Sequence, residues 1–391
     1  MKRIKRMLAF GMAAVMLVSN CPILTYAKEA DGEKDIVQEM TEERNAQESS
    51  SARNISTEFT YKVLNGTFCE ITGYKGETAI LTIPDEIDGY IVQRIANDAF
   101  KGNKILESVV LPNTLETMGT SLFREYTALK NVQLNDGLAE ISESAFYGCT
   151  ALEKIEFPDS VTTIGNSAFY GCIALESIEF SKFVKIIGSS SFSGCSGLKE
   201  IIFSEGLETI LSYAFENCLG IEKIEFPDSV KELASRAFYN CKNLTAADYP
   251  SGWTTVLDYN RNSSSYWGED REYYTSPFEG CTALKKIEIE EGATAIPKYA
   301  FRYQTSLEEV VLPESLLSIG KYAFDGSKLL KTVILPKNLE LIDSYAFRGC
   351  IALENLKMPA GLKTINGHAF ENCTGLKNVS LNGVRLWWQA G

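Results

Sequence analysis

Ten cysteines and a single histidine are the residues of this 391-residue chain best suited to chemistry. A cysteine nucleophile needs a base, and His368 is the only imidazole. It stands just before Ala369-Phe370, at a position read as solvent-facing, while Cys373 in the same unit is read as buried. Eight cysteines (Cys149, Cys172, Cys195, Cys218, Cys241, Cys281, Cys350 and Cys373) each follow a phenylalanine by three residues. Stacked repeats would bring successive members to about 5 Å, a separation a disulfide tolerates. Parallel side chains fit the disulfide dihedral badly, however, and a straight column does not converge on tetrahedral zinc. The expectation is reduced cysteines packed as small buried hydrophobes, with disulfide pairs as the alternative. Serine triads fail for the same want of imidazole, and no glycine motif would cradle a phosphate. Paired carboxylates are abundant, but a stacked array offers them no pocket. The chain is read as non-enzymatic, with no cofactor.

One segment invites a metal or a sugar. Between Ser251 and Thr275 lie Trp253, Tyr259, Tyr266, Trp267, Tyr273 and Tyr274. Exposed aromatics anchor protein partners and stack on sugar rings; the alternative is that they fold back as extra core. Asp258, Asn260, Asn262 and Glu269 stand at positions 1, 3, 5 and 12 of an EF-hand-like loop. Ser263 replaces the glycine such a loop needs for its sharp turn, and no amphipathic helices flank it, which argues against calcium.

The elements that position these residues come from one period. Phe100, Phe123, Phe146, Phe169, Phe192, Phe215 and Phe238 fall 23 residues apart, and Phe278, Phe301, Phe324, Phe347 and Phe370 resume the spacing. The 40-residue gap between Phe238 and Phe278 marks a 17-residue insertion, placed at about 251–275. One unit reads ALEKIEFPDSVTTIGNSAFYGCI, from Ala151 to Ile173. Leu152, Ile155 and Phe157 predict a short strand, which Pro158 ends because proline donates no ladder bond. Val161 and Ile164 predict a second apolar pass. Asn166 or Ser167 would cap a short helical turn carrying Ala168-Phe169, with Gly171 at its left-handed exit. One unit buries too little apolar surface to offset its ordering entropy, so the copies must stack. The predicted fold is an α/β-type repeat solenoid, mainly β: a right-handed superhelix with a parallel strand ladder and short helical turns.

The copies of L-x-x-I-x-[FL]-P-x-x-[VL]-x-x-I-G-x-x-A-F-x-x-C resemble the BspA-type leucine-rich repeats of bacterial surface proteins. The lead-in, Phe59 to Phe100, is similar to the β-hairpin cap that opens such arrays. The glycine after the second isoleucine persists at Gly119, Gly165, Gly188 and Gly320, while Leu211, Asp343 and Asn366 replace it elsewhere. The resemblance implies adhesion to host or neighbouring-cell proteins.

Applying the period to the strands yields surface columns. One runs Thr82, Val110, Gln133, Glu156, Glu179, Ile202, Glu225, Asp248, Glu288, Val311, Ile334, Lys357; its neighbour includes Lys154, Lys223 and Lys286. Glu156 over Glu179 and Glu225 over Asp248 are like-charge neighbours, a mildly destabilising arrangement. Glu156, Glu179, Glu225, Asp248, Glu288, Val311 and Ile334, with Trp253, Trp267 and Tyr266 of the insertion, are the candidate partner-binding residues. An ordinary solvated face is the alternative.

The termini complete the reading. MKRIKR, the apolar stretch Met7 to Val18 and Thr25-Tyr26-Ala27 have the layout of a signal peptide, residues 1–27, cleaved after Ala27. Asn20 stands where lipid attachment at Cys21 would favour a small residue, which argues against an anchor there. Residues 28–58, poor in aromatics, are predicted to be a disordered acidic linker. Residues 59–99 are read as cap hairpin and first repeat, 100–381 as the array, and 382–391 as a C-terminal end or cap in which Trp387 and Trp388 would cover the stack. The net charge is −13; without the first 27 residues, 34 cations face 51 acids, a net of −17. Such a surface repels phosphate backbones and excludes nucleic acid, and no apolar run is long enough to span a bilayer. These features predict a secreted or cell-surface binding scaffold for an extracellular or cell-surface protein, with carbohydrate recognition by residues 251–275 as the alternative.

Overall fold

The computed structural model describes residues 57–101, 104–257 and 274–380. The predicted signal peptide, Cys21 within it, and the predicted acidic linker as far as residue 56 lie outside the described residues, as do Trp387 and Trp388.

The array is a parallel β-solenoid of stacked coils with two strand ladders. The first is built from the L-x-x-I-x-F segments: Ile80–Thr82 pairs with Ser108–Val110, and that with Asn131–Gln133. It resumes as Ser177–Glu179 on Glu200–Ile202, then from Lys223–Ile224 to Thr332–Val333, then as Asn355–Lys357 on Asn378–Ser380. The second is built from two-residue passes such as Thr163–Ile164 and Ile186–Ile187. It runs in six strands from Glu140–Ile141 to Thr255–Leu257 and in four from Ala295–Ile296 to Thr364–Ile365. In both, the inward residue of most coils is a buried isoleucine, leucine or valine.

The predicted helical turn does not form. Between the second strand and the next coil the chain makes tight turns, because in most coils two residues in the left-handed region flank the repeat phenylalanine. In one coil these are Ser167 (φ 54°) and Gly171 (φ 71°); elsewhere Tyr322 and Gly326, or Tyr213 and Asn217, take the two places. Left-handed residues two before and two after the phenylalanine break any helical run. The backbone groups then divide between two directions. Ala168, Tyr170 and Cys172 donate back within the coil to Gly165, Ser167 and Phe169, while Ser167, Phe169 and Gly171 donate to Ser189, Ser191 and Ser193 of the next coil. The turn side is thus a third hydrogen-bonded seam.

Inside this frame the phenylalanine rings stack. Phe146, Phe169, Phe192, Phe215 and Phe238 follow one another with centroids 5.1–5.3 Å apart and planes within 13°. Phe238 meets Phe278 at 5.6 Å across the insertion. A second row, Phe157, Phe180, Phe203 and Phe226, meets the first edge-on at 79–86°. Such pairs add about 0.5–1.5 kcal/mol each beyond burial. At the N-terminal end an antiparallel hairpin, Phe59–Val63 on Phe68–Tyr74, lays Phe59 and Tyr74 against Phe100, the first ring of the spine.

Replacing Phe192 by Ala, in the middle of the spine, should cost about 3–5 kcal/mol in chemical denaturation. Phe183→Ala, which removes a ring 46% exposed, should cost less than about 1 kcal/mol.

Candidate partner-binding face

The thiol column is closed to chemistry by its own hydrogen bonds. Cys149, Cys172, Cys195, Cys218 and Cys241 turn Sγ toward the carbonyl of the phenylalanine in the preceding coil, at 3.0–3.3 Å. Cys281, Cys350 and Cys373 repeat the contact. Where cysteine is missing, Tyr126 donates to Phe100 O and Ser327 Oγ to Phe301 O. The column therefore selects a buried donor, which the reading as a plain hydrophobe did not anticipate. Gln304 is the exception: its amide reaches Cys281 O instead, and its Oε1 is left without a partner. Burial pushes the Cys149 thiol up to about 12 and that of Cys373 to about 11. Burial likewise raises the thiols of Cys172, Cys218 and Cys350 well above the usual range. His368 does not offset this: its ring is exposed, stacks on Tyr345 at 5.0 Å and faces Glu371 at 3.7 Å. Among the described residues no group of three His, Cys, Asp or Glu side chains converges on a metal site.

The strand side presents the predicted columns in register. Asp248 sits opposite Glu288, and Glu288 opposite Val311; Glu179 sits opposite Ile202. Ile334 is 77% exposed, and Ile202 and Val311 are exposed as well. The ladder is interrupted on both sides of the coil carrying Glu156, after Ile202, and between Thr332–Val333 and Asn355–Lys357. Two of these interruptions hold surface depressions. One of about 560 Å3 is lined by Gln133, Lys154, Glu156 and Phe157; one of about 700 Å3 by Thr332, Ile334, Lys357 and Asn378. Glu156 is paired within its coil to Lys154.

Flanking columns neutralise themselves along the stack. At the position before the first strand, Glu107 pairs with Lys130 (2.7 Å), Glu176 with Lys199 (2.8 Å) and Glu354 with Lys377 (3.2 Å). Glu308 is forked between Lys331 (2.7 Å) and Lys285 (3.4 Å), which hold its carboxyl below the usual carboxylate range. Just before the second strand Glu340 meets Lys363 at 2.7 Å. Exposed pairs of this kind add little to stability, but they leave those columns nearly neutral. The acidic column stands out against them. These pairs were missed in the sequence reading, although the 23-residue period applied to lysines would have found them.

The insertion proves narrower than 251–275. Ala234 pairs with Leu257, 23 residues on, whereas Thr275 donates its N–H to Ser235 Oγ, 40 residues back. The 17 added residues therefore fall at 258–274. Trp253 precedes them and is core: only 2% exposed, it packs on Tyr249 and edge-on against Phe301, and its Nε1 donates to Thr255 O. Its ring is not available to a ligand, which corrects its place among the binding aromatics. Tyr266, Trp267 and the calcium candidates Asp258, Asn260, Asn262 and Glu269 lie outside the described residues. The far end of the insertion is pinned. Tyr274 stacks on Tyr299 at 4.9 Å, and its carbonyl accepts from Arg302. Arg302 and Arg348 in turn clasp buried Asp325 at 2.8–3.1 Å.

Against this geometry, the sequence matches the model of the BspA type leucine rich repeat region, in six copies, over residues 93–185, 162–265 and 272–385. The chain belongs to the BspA-type leucine-rich repeat family. Among solved structures, this BspA-type chain is similar to a leucine-rich repeat protein from Bacteroides ovatus, at 25% identity over 85% of this chain and 98% of that one, with a TM-score of 0.49. It is also similar to a leucine rich cell surface protein from Faecalibacterium prausnitzii, at 23% identity over 84% and 94%, with a TM-score of 0.48. A third similarity is to the pneumococcal vaccine antigen PcpA, at 22% identity over 82% and 78%, with a TM-score of 0.42. No curated protein matches the sequence.

In this BspA-type array the raised thiols have a measurable sign. Below pH 9 they are protonated whether the chain is folded or not, and their contribution to stability is intact. Above pH 9 the unfolded chain ionises first, so stability falls as pH rises toward 12, by about 1.4 kcal/mol per pH unit for each such thiol. Denaturation midpoints between pH 8 and 11 should show that decline. At pH 8 the folded chain should resist thiol alkylation that proceeds readily in denaturant.

Proposed function

We propose that this chain is an exported, non-catalytic binding scaffold, adhesin-like in role, that takes a protein partner on its strand face. Membership of a leucine-rich repeat family supports a binding scaffold, and the cationic, then apolar, N-terminal layout supports export to the cell surface or medium. The observation that carries the reading is the contrast between columns. Those beside the strands mix glutamates with lysines from coil to coil, whereas Glu225, Asp248 and Glu288 put acids in three consecutive coils of one column, with Asp248 directly opposite Glu288. Like charges across a ladder cost stability, so the arrangement is not explained by folding. A basic or mixed surface on an extracellular or cell-surface protein would relieve it, and exposed Val311 and Ile334 would add apolar contact beside it. Burial of Trp253 removes one anchor from the carbohydrate reading, and no observation on the described residues favours it.

The test is capture by the immobilised mature chain of a panel of purified extracellular-matrix and cell-surface proteins. A Glu156→Lys, Glu179→Lys, Glu225→Lys, Glu288→Lys variant should lose that capture at an unchanged melting temperature, and raising the salt should weaken wild-type capture. Equal capture by the variant would move the site off this face.

A further inference from the structure

The turn side carries tyrosines within two residues of the repeat phenylalanines, and it treats nearly all of them alike. Arg124 lies 4.1 Å from the ring centroid of Tyr147. Arg236 lies over Tyr239 and donates to the hydroxyl of Tyr213. Arg302 lies over Tyr299 and Tyr303, and Arg348 over Tyr322 and Tyr345. Three of these guanidiniums also reach a carboxylate in an adjacent coil. Arg236 holds Glu279 at 2.7 Å, and Arg302 and Arg348 share Asp325 at 3.1 and 2.8 Å. The recurring unit is a planar cation with a tyrosine ring against its face and an acid at its edge. Guanidinium suits both contacts, because its face stacks and its N–H fork matches a carboxylate.

Tyr170 breaks the pattern. One face of its ring stacks on Tyr147, at 4.6 Å with planes 4° apart. The other face meets no ring or cation among the described residues, and Tyr170 is 37% exposed. The next residue in its column is Ser193, buried and too short to lie on the ring. Ser193 Oγ donates to Glu216 Oε2 at 2.9 Å, which turns the carboxylate of the following coil back toward the Tyr170 side. Glu216 is half-buried and pairs with no cation among the described residues. Ring and acid thus flank one position of the column, with Ser193 as its floor. Two coil steps of about 4.8 Å separate them at the backbone, which gives a planar group a place on the ring with its edge toward the acid.

We propose that Tyr170 and Glu216 receive an arginine side chain of a partner protein, its face on the ring and its fork on the carboxylate. The partner completes in trans the unit that Arg236, Arg302 and Arg348 complete within the chain. A sugar ring would use the aromatic face but bring no charge to Glu216. A lysine would bring the charge without the plane. The site lies on the turn side and stands apart from the strand-face reading.

The probe is the peptide acetyl-Gly-Arg-Gly-amide, titrated into the full chain and followed by NMR. Ring signals of Tyr170, assigned through Tyr170→Phe, should move as peptide is added, and saturation transfer should mark the arginine δ-methylene. Peptides with lysine or citrulline in place of arginine should bind at least about fivefold more weakly. Tyr170→Leu and Glu216→Gln should each weaken arginine binding about fivefold. Their melting temperatures should be little changed, and if Tyr170→Leu disturbs the fold the milder Glu216→Gln still decides. Undiminished binding by Glu216→Gln would overturn the proposal, as would Tyr170 signals that the arginine peptide leaves unmoved. Equal binding of the lysine peptide would also overturn it, by reducing the effect to undirected attraction to an acidic surface. Methyl glycosides that move Tyr170 where the arginine peptide does not would give the ring to carbohydrate instead.

Discussion

The repeat phenylalanine is the point at which each coil is held to its neighbours. Its ring stacks on the rings above and below, its N–H donates to the next coil, and its carbonyl accepts from its own coil and from the thiol of the next. Those contacts in several directions demand one backbone conformation, which the paired left-handed residues supply at a conformational cost. The 23-residue period follows from this, since a coil of any other length would leave a ring without a partner and a carbonyl without its donor. The 17-residue insertion obeys the same rule by leaving from one turn and returning to the next position in phase, so that Phe238 and Phe278 still stack.

That constraint also divides the molecule by chemistry. The turn side spends its cysteines on internal hydrogen bonds and shuts them away from solvent, so the residue type richest in reactivity is the least accessible here. The strand side is tied to the core only through alternate residues, and its outward columns are free to vary. Their exposed positions hold Thr82, Glu179, Ile202, Glu225 and Lys357 in the same structural role. A surface whose frame is rigid and whose side chains are unconstrained suits recognition, which is why the proposed function rests there.

Much of this was legible in the sequence because it depends on period alone. Ring order, strand register and the surface columns all follow from counting by 23, and the pairing of Asp248 with Glu288 was readable despite the insertion between them. What escaped depends on geometry that residue type does not advertise. Ser, Tyr, Arg and His all take the left-handed place before the phenylalanine, so no glycine signalled it and a helical turn was expected instead. Tyr126 and Ser327 in the cysteine column did carry a signal, since a donor hydrogen is what the three residue types share. Trp253 was grouped with the insertion by composition, although Val256, three residues later, still falls in phase with Leu233. The interruptions of the first ladder left no mark in the motif.

The ion pairs beside the strands have a consequence for how such an array can change length. From Lys285 through Glu308, Lys331 and Glu354 to Lys377 the sign reverses at each coil, and the pairs that form depend on it. Deleting the copy that carries Glu308, Lys331 or Glu354 would bring lysine beside lysine or glutamate beside glutamate. Deleting two would restore the alternation. Gene rearrangements that shorten or lengthen this half of the protein should therefore be tolerated better in even numbers of copies than in odd.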